Sequence, residues 1–199
     1  MRSDDLNPSF GPGRLWYIMG PSGAGKDSLL RGASERLAGR VEVRFARRYI
    51  TRPTELGGED HIALSSTEFE NKAAAGDFLF HWRSHGYAYG IGTEIQEWLC
   101  AGADVCVNGS RGYLPTAETL VPTLIPVLVR VDPQKLRQRL RQRGRESSLE
   151  IEARLRRSDE LETPTNALVL DNDGSLDEAI TALCRYILET RGASVADDE

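Results

Sequence analysis

The strongest chemical signal in this chain is one short stretch, Gly20-Pro21-Ser22-Gly23-Ala24-Gly25-Lys26-Asp27-Ser28. Glycines at 20, 23 and 25 allow a tight turn and bring main-chain amides close to a ligand with no Cβ in the way. Amides converging in such a turn form an anion-binding nest, and a helix beginning directly after it adds partial positive charge. Lys26 supplies a full charge that reaches outer phosphate oxygens. Gly20, four residues, then Gly25-Lys26 is the spacing of a phosphate-binding loop. That pattern continues with Ser or Thr, whose hydroxyl ligates magnesium. Here Asp27 stands in its place, with Ser28 behind it. Magnesium takes oxygen ligands and keeps several waters, so either residue is a candidate metal ligand. The alternative is that Asp27 only caps the helix.

A second concentration of charge lies at 137–157. Arg137, Arg141 and Arg145 repeat at helical spacing, as do Arg139 and Arg143, giving two stripes on one helix and its end. Arg154, Arg156 and Arg157 follow. Such arginines either neutralise charge on a moving phosphoryl group or form a solvated surface offset by Glu146, Glu150 and Glu152.

The elements that must hold these groups can be read from pattern. Leu15–Met19 is an apolar run ahead of the loop, and Leu29, Leu30 and Leu37 follow it on helical spacing. Strand, loop and helix in that order are the context the loop requires. Residues 41–50 alternate like one half-buried strand and end at Pro53. Thr54 to Asp60 reads as a loop. Thr67 with Glu70, and Thr93 with Gln96, read as capping boxes, stopped by Gly76 and Gly102. Asp132-Pro133 starts a helix that stops at Gly144. Ser147 with Glu150, and Ser175 with Glu178, open two more. Short strands are expected at 78–82, just after Gly86, at 103–108, at 124–131 and at 168–170. Strands and helices alternating in this way predict an α/β fold, a parallel sheet covered by helices on both faces.

Composition narrows the classes. The chain has 199 residues, 40% of them hydrophobic, and a net charge of −5. One domain over 14–192 is expected, with flexible tails at 1–13 and 193–199. The acidic balance argues against nucleic acid as partner. Cys100, Cys106 and Cys184 and the histidines His61, His81 and His85 lack metal-ligand spacing, so buried free thiols in a cytoplasmic protein are expected. No run suits a membrane span, and the N-terminus lacks a signal-peptide core. Oligomeric state stays open, a homodimer included.

Gly20 to Lys26, Ile50-Thr51-Arg52-Pro53, Tyr89-Gly90 and the arginine stretch together resemble the guanylate-kinase-like branch of the P-loop kinases. The likeness covers about Leu15 to Arg191. It implies a P-loop NTP-hydrolase-type core (14–40 and 93–192) that binds ATP with Mg²⁺. It also implies an inserted acceptor-binding lobe at about 41–92 and an arginine-rich lid at about 137–157. By family position Arg143, Arg154 and then Arg139 are the catalytic lid arginines, beside Lys26. Arg52 and Tyr89 grip the acceptor's phosphate, with Arg47, Arg48 and Arg111 as further candidates. Asn172 and Asp173 border the adenine.

Several positions depart from the guanylate kinase pattern in one direction. A second phosphate-binding arginine is Glu55 here, the guanine-reading glutamate is Phe80 or His81, and a tyrosine becomes His61. The aspartate ending the central strand is Asn108, whose lost charge Asp27 would restore. An aromatic ring cannot replace a carboxylate that reads guanine's N–H donors, and a site without its matching polar group loses a large factor. A sugar phosphate without a base fits better. Gly20 to Leu30 with its Lys-Asp-Ser, Tyr49 to Pro53, Glu59 to Ser65, Tyr89-Gly90-Ile91 and Val107-Asn108-Gly109-Ser110-Arg111 are similar to the ribose 1,5-bisphosphate phosphokinases within that branch. The resemblance implies ATP-dependent phosphorylation of a small sugar phosphate in phosphonate utilisation, with His61, Arg111 and Asn108 in the acceptor site. The alternatives are a nucleoside monophosphate kinase and, in another class, a non-catalytic binding module.

Overall fold

A computed structural model describes residues 10–39, 42–53, 60–144, 148–160 and 164–192. In chain order the elements are β1 (Leu15–Met19), α1 (Lys26–Leu37), β2 (Val43–Phe45), β3 (Arg48–Ile50), β4 (His61–Ala63), α2 (Ser66–Ala75), β5 (Phe78–Ser84), β6 (Tyr87–Gly92), α3 (Glu94–Cys100), β7 (Asp104–Asn108), a 3-10 turn (Arg111–Tyr113), α4 (Leu114–Leu120), β8 (Ile125–Arg130), α5 (Pro133–Arg143), α6 (Ser148–Glu160), β9 (Leu168–Asp171) and α7 (Leu176–Thr190). The strands form two sheets, a mostly parallel one with helices on both sides in the order β2-β7-β1-β8-β9, and a second in the order β4-β3-β6-β5. The α/β expectation is therefore borne out. Every residue of β1 and β7 is buried, as befits parallel strands covered on both faces.

The chain divides into two compact units. Tyr17–Val41, Asn108–Pro115 and Ile125–Glu199 form one. In it α7 buries the stripe Ala179, Ile180, Leu183, Cys184 and Ile187, spaced for one helix face. The match with α1 is close: a Cβ on Gly32 would lie 2.2 Å from Ile180 Cδ1. Arg36 of α1 reaches Asp177 and Thr181 of α7. Ser175 and Glu178 form the expected capping box. Asp132 caps α5 through the amides of Gln134 and Lys135, Pro133 occupies its first turn, and Gly144 closes it at φ +66°.

Met1–Trp16, Glu42–Val107 and Thr116–Leu124 form the other unit. Here β5 and β6 make a hairpin whose turn, His85-Gly86, has both φ angles positive, the geometry that matches strand twist. Phe69, Phe78 and Ala88 pack with Tyr49, Leu64 and Ala73. Phe78 lies where a side chain at Gly90 would be, 2.7 Å from its Cβ.

The structure corrects several local expectations. Residues 41–50 are two strands, not one. β2 pairs in parallel with β7, while β3 pairs with β4 and β6 in the second sheet. Alternation reports which face a side chain takes and is blind to a change of partner strand at Ala46-Arg47. The capping box of α2 is Ser65 with Glu68, not Thr67 with Glu70; both pairs have the spacing, and the earlier one wins a longer helix. Thr93 is the N-cap of α3 but makes no side-chain cap bond, so its box with Gln96 does not form, while Gly102, left-handed at φ +86° just after the C-cap Ala101, stops the helix as expected. Ser147 and residues 54–59 lie outside the described ones. β4, the 3-10 turn and α4 carry no signal that the pattern reading caught. Cys106 and Cys184 are buried free thiols as expected, but Cys100 is exposed. No helix among the described residues is long and apolar enough to cross a membrane.

Leu183→Ala should destabilise the fold by about 2–5 kcal/mol, the range for emptying a closed leucine site. Urea unfolding followed by circular dichroism checks this.

Candidate active site

The loop between β1 and α1 adopts the conformation its residues predict. Gly20 and Gly25 have φ +149° and +88°. A Cβ on Gly20 would lie 2.5 Å from the Val129 carbonyl oxygen of β8, and one on Gly25 would lie 2.8 Å from Asn172 Nδ2. Glycine is thus required twice over at both places, by backbone angle and by space. Lys26 curls back over the loop, its ammonium donating to the carbonyls of Gly20 at 2.8 Å and Pro21 at 3.0 Å. That holds the charge within the loop.

Asn172, expected with Asp173 beside a nucleotide's base, also braces the loop. The Asn172 amide donates to the Ala24 carbonyl at 2.6 Å. Its Oδ1 is buried without a hydrogen-bond partner among the described residues. Asp173 accepts from the Asp132 amide at 2.7 Å, and its carbonyl accepts from Lys135 Nζ at 2.9 Å. Arg130 beside Asp171 holds that carboxyl below its usual range, helped by the Asp173 amide.

Asp27 lies in the first turn of α1 and does not cap it; the N-cap is Gly25, with no side-chain cap bond. Its Oδ1 accepts from Asn108 Nδ2 at 2.5 Å. Asn108 ends β7 and is 4% exposed. The residues Gly109 and Ser110 that follow are clamped by Tyr17, whose hydroxyl donates to the Ser110 carbonyl and accepts from the Ser110 amide, both at 2.9 Å. A Cβ on Gly109 would sit 2.1 Å from the Tyr17 ring. Arg111 opens the 3-10 turn beyond. Pattern reading missed the Tyr17 clamp, because a tyrosine in an apolar strand reads as packing.

Of the arginine stretch, Arg139 donates to the Asn172 carbonyl at 2.9 Å. Arg137 makes a two-point pair with Glu152, 2.7 and 3.0 Å, which ties α5 to α6 and draws the Glu152 carboxyl downward. Arg143 ends α5 and Arg154 lies within α6; their side chains, with Arg145 and Arg157, lie outside those described.

In the other unit Arg52 follows β3. Its Nε is buried with no hydrogen-bond partner among the described residues. Its carbonyl accepts from His61 Nε2 at 2.8 Å. His61 is 3% exposed, and a carbonyl can only accept, so Nε2 carries the proton. Thr51 Oγ1 accepts from the Ala88 amide at 2.8 Å, stitching this segment to β6. Tyr89 stacks on Trp82, ring centroids 5.6 Å apart, and the Arg48 guanidinium stands 5.2 Å from the Tyr89 ring centre. Arg47 pairs with Asp60. Phe80 is fully buried, whereas His81 on the same strand is exposed. The position of Glu55 is outside the described residues.

A glycine-rich phosphate loop on a parallel sheet, with a second sheet carrying arginine and tyrosine, defines a P-loop kinase. The guanylate kinase family model matches residues 13–190, and the chain belongs to that family. Two curated relatives carry the name ribose 1,5-bisphosphate phosphokinase PhnN. The one from Chromobacterium violaceum is 51% identical over 175 residues, 88% of this chain and 94% of the relative. The one from Desulfomicrobium baculatum is 52% identical over 178 residues, 89% and 95%. Within the guanylate kinase family the chain thus falls in the ribose 1,5-bisphosphate phosphokinase group. A guanylate kinase from Anaplasma phagocytophilum superposes with a TM-score of 0.67 over 93% of this chain and 89% of its own, at 15% identity, a likeness of fold.

Gly25→Ala should weaken ADP binding at least about tenfold, since a forced left-handed backbone alone costs 1–2 kcal/mol. Titration calorimetry measures it.

Proposed function

We propose that this protein transfers the γ-phosphoryl group of ATP to the 1-phosphate of ribose 1,5-bisphosphate, giving ADP and 5-phospho-α-D-ribose 1-diphosphate, as a cytoplasmic step of phosphonate utilisation. The observation that carries this reading is identity of about half over nearly nine-tenths of the chain to relatives of that name. A fully buried Phe80 supports it, because that position offers no polar edge to a base.

An oxygen of the acceptor's 1-phosphate attacks the γ-phosphorus, and the bond from that phosphorus to the β-bridging oxygen breaks. Such transfer asks for alignment and neutral charge more than covalent help. Main-chain amides of the loop cradle the nucleotide's phosphates, Pro21 having none to offer and Ala24 giving its own to the Pro21 carbonyl. Lys26, already held over the loop by two carbonyls, directs its ammonium charge to a phosphate oxygen. Arg139, Arg143 and Arg154 meet the transferred group, in a lid of about 137–157. Arg52, Tyr89 and His61 serve the acceptor from a lobe of about 41–92, with Arg111 of the core. In this role Arg52 brings an unspent Nε to a phosphate, and His61 acts through Arg52 by fixing its peptide. Asn172 and Asp173 border the adenine.

The donor set suits magnesium: the Asp27 carboxylate, the Ser28 hydroxyl and a buried amide oxygen on Asn108 that lacks a hydrogen-bond partner. Hard oxygen ligands in small number are what a nucleotide-bound Mg²⁺ takes from protein. Bound there, the ion would neutralise charge between the β- and γ-phosphates.

Purified protein with ATP and Mg²⁺ tests the reading against ribose 1,5-bisphosphate, ribose 5-phosphate, GMP and AMP, with products read by mass. Ribose 1,5-bisphosphate should exceed GMP in kcat/KM by about 10² or more, and Lys26→Ala should lower its turnover by about 10²–10³. A preference for GMP overturns the acceptor; no turnover with any of them favours the binding module.

A further inference from the structure

A hydrogen bond between Asp27 and Asn108 joins the first turn of α1 to the end of β7. A carboxylate only accepts, so the amide must turn its nitrogen toward Asp27. That fixes the Asn108 flip and points Oδ1 away from Asp27, into a place where it is buried and has no hydrogen-bond partner among the described residues. A buried carbonyl-type oxygen left in this way costs free energy, and Asn108 as a whole is 4% exposed. Neither end of the bond is loose. Asp27 rides on a twelve-residue helix, close to its positive end. Asn108 is followed by Gly109 and Ser110, held by the Ile18 carbonyl at 2.8 Å and by the Tyr17 hydroxyl.

We propose that Asp27 and Asn108 work as one unit, an anion and an amide locked together. The unit presents the second carboxylate oxygen of Asp27 and Oδ1 of Asn108 to the divalent cation of a bound nucleotide, directly or through its water shell. This rests on the nucleotide reading of the loop and assigns Asn108 to the donor side of the reaction, as a positioning residue, rather than to the acceptor. One negative charge is the right number for the pair. Two carboxylates facing each other across 2.5 Å would repel, and two amides would offer the cation no anion. The unit's chemistry depends on one carboxylate and one amide in contact, and transposing them preserves it.

The test is calorimetric titration of ADP, in EDTA and in Mg²⁺, on the wild type, Asp27→Asn, Asn108→Asp and the transposed double variant. Asn108→Ser serves as a second probe that deletes the amide without adding charge. In EDTA the charge-conserving Asn108→Ser and transposed double variants should bind ADP within about threefold of wild type, whereas Asp27→Asn should bind more tightly and Asn108→Asp less tightly, because each changes the charge facing the phosphates by one. The extra affinity conferred by Mg²⁺ should fall about tenfold in each single variant and return to within about threefold of wild type in the double. Single penalties that multiply in the double, or a single variant with undiminished Mg²⁺ dependence, overturn the inference while ADP binding in EDTA still upholds the loop. A wild type that binds no ADP in either condition overturns the nucleotide reading and this inference with it.

Discussion

The Asn172 side chain fixes the shape of the phosphate loop from outside. Its amide donates to the Ala24 carbonyl and occupies the space a side chain at Gly25 would need. A loop whose amides point inward must turn some carbonyls outward, and a buried carbonyl needs a donor. Asn172 is that donor for Ala24, and Lys26 for Gly20 and Pro21. The turn that carries Asn172 is itself cross-tied, through Arg130 to Asp171, Asp132 to Asp173 and Arg139 to the Asn172 carbonyl. The conformational entropy of ordering the cradle is therefore lost on folding rather than on binding, which is how preorganisation raises affinity. Because Asp171 titrates below its unfolded value, its contribution is full above the ordinary carboxylate range and is lost as pH falls through the depressed value.

The second sheet shows the same economy with different groups. Ile50, Phe80 and Ile91 are fully buried on it, and Trp82, Tyr89 and Arg48 form a column beside them. A column of rings and a guanidinium is stiff and has few polar atoms to spend on a base edge. Arg52 follows β3 with its peptide pinned by His61 and its Nε without a hydrogen-bond partner among the described residues. The proposed sugar-phosphate acceptor, which carries charge but no base edge, fits that distribution.

The fold was legible in the sequence wherever one residue type has a single physical use. Gly20 and Gly25 marked the loop because only glycine suits their angles and their space. Asp132, Pro133 and Gly144 bounded α5, and Ser175 with Glu178 opened α7, because caps are local chemistry. Failures came where partners are distant. The run 41–50 alternates correctly yet belongs to two sheets, and Ser65 competes with Thr67 for the same helix start. For the site, Lys26, Asp27, Asn172 and Arg52 were all singled out. What pattern could not give was which of them touch: Asp27 with Asn108 across 81 positions, Asn172 with Ala24 across 148. Nor could it show that His61 faces a main-chain carbonyl, since a histidine's role is set by what lies opposite its ring nitrogens.

The same bonds constrain the arginine-rich stretch. α5 as far as Leu140 is part of the loop's support: Lys135 holds the Asp173 carbonyl, Arg139 holds that of Asn172, and Leu136 and Leu140 fill the space over Gly23. A closing movement that carried residues 137–157 as one body would break the Arg139 tie and expose the buried Leu140, at a cost of about 2 kcal/mol for the leucine alone. A movement that begins at Gly144, where the backbone is already left-handed at φ +66°, would leave them intact. It would have to contend instead with the burial of Ile151 and Leu155 on α6 and with the two-point pair between Arg137 and Glu152. That pair is partly solvated, so its hold is weak beside the buried contacts. These bonds set α5 with the nucleotide loop as far as Leu140, and both helices of the stretch are held by apolar burial as well as by charge.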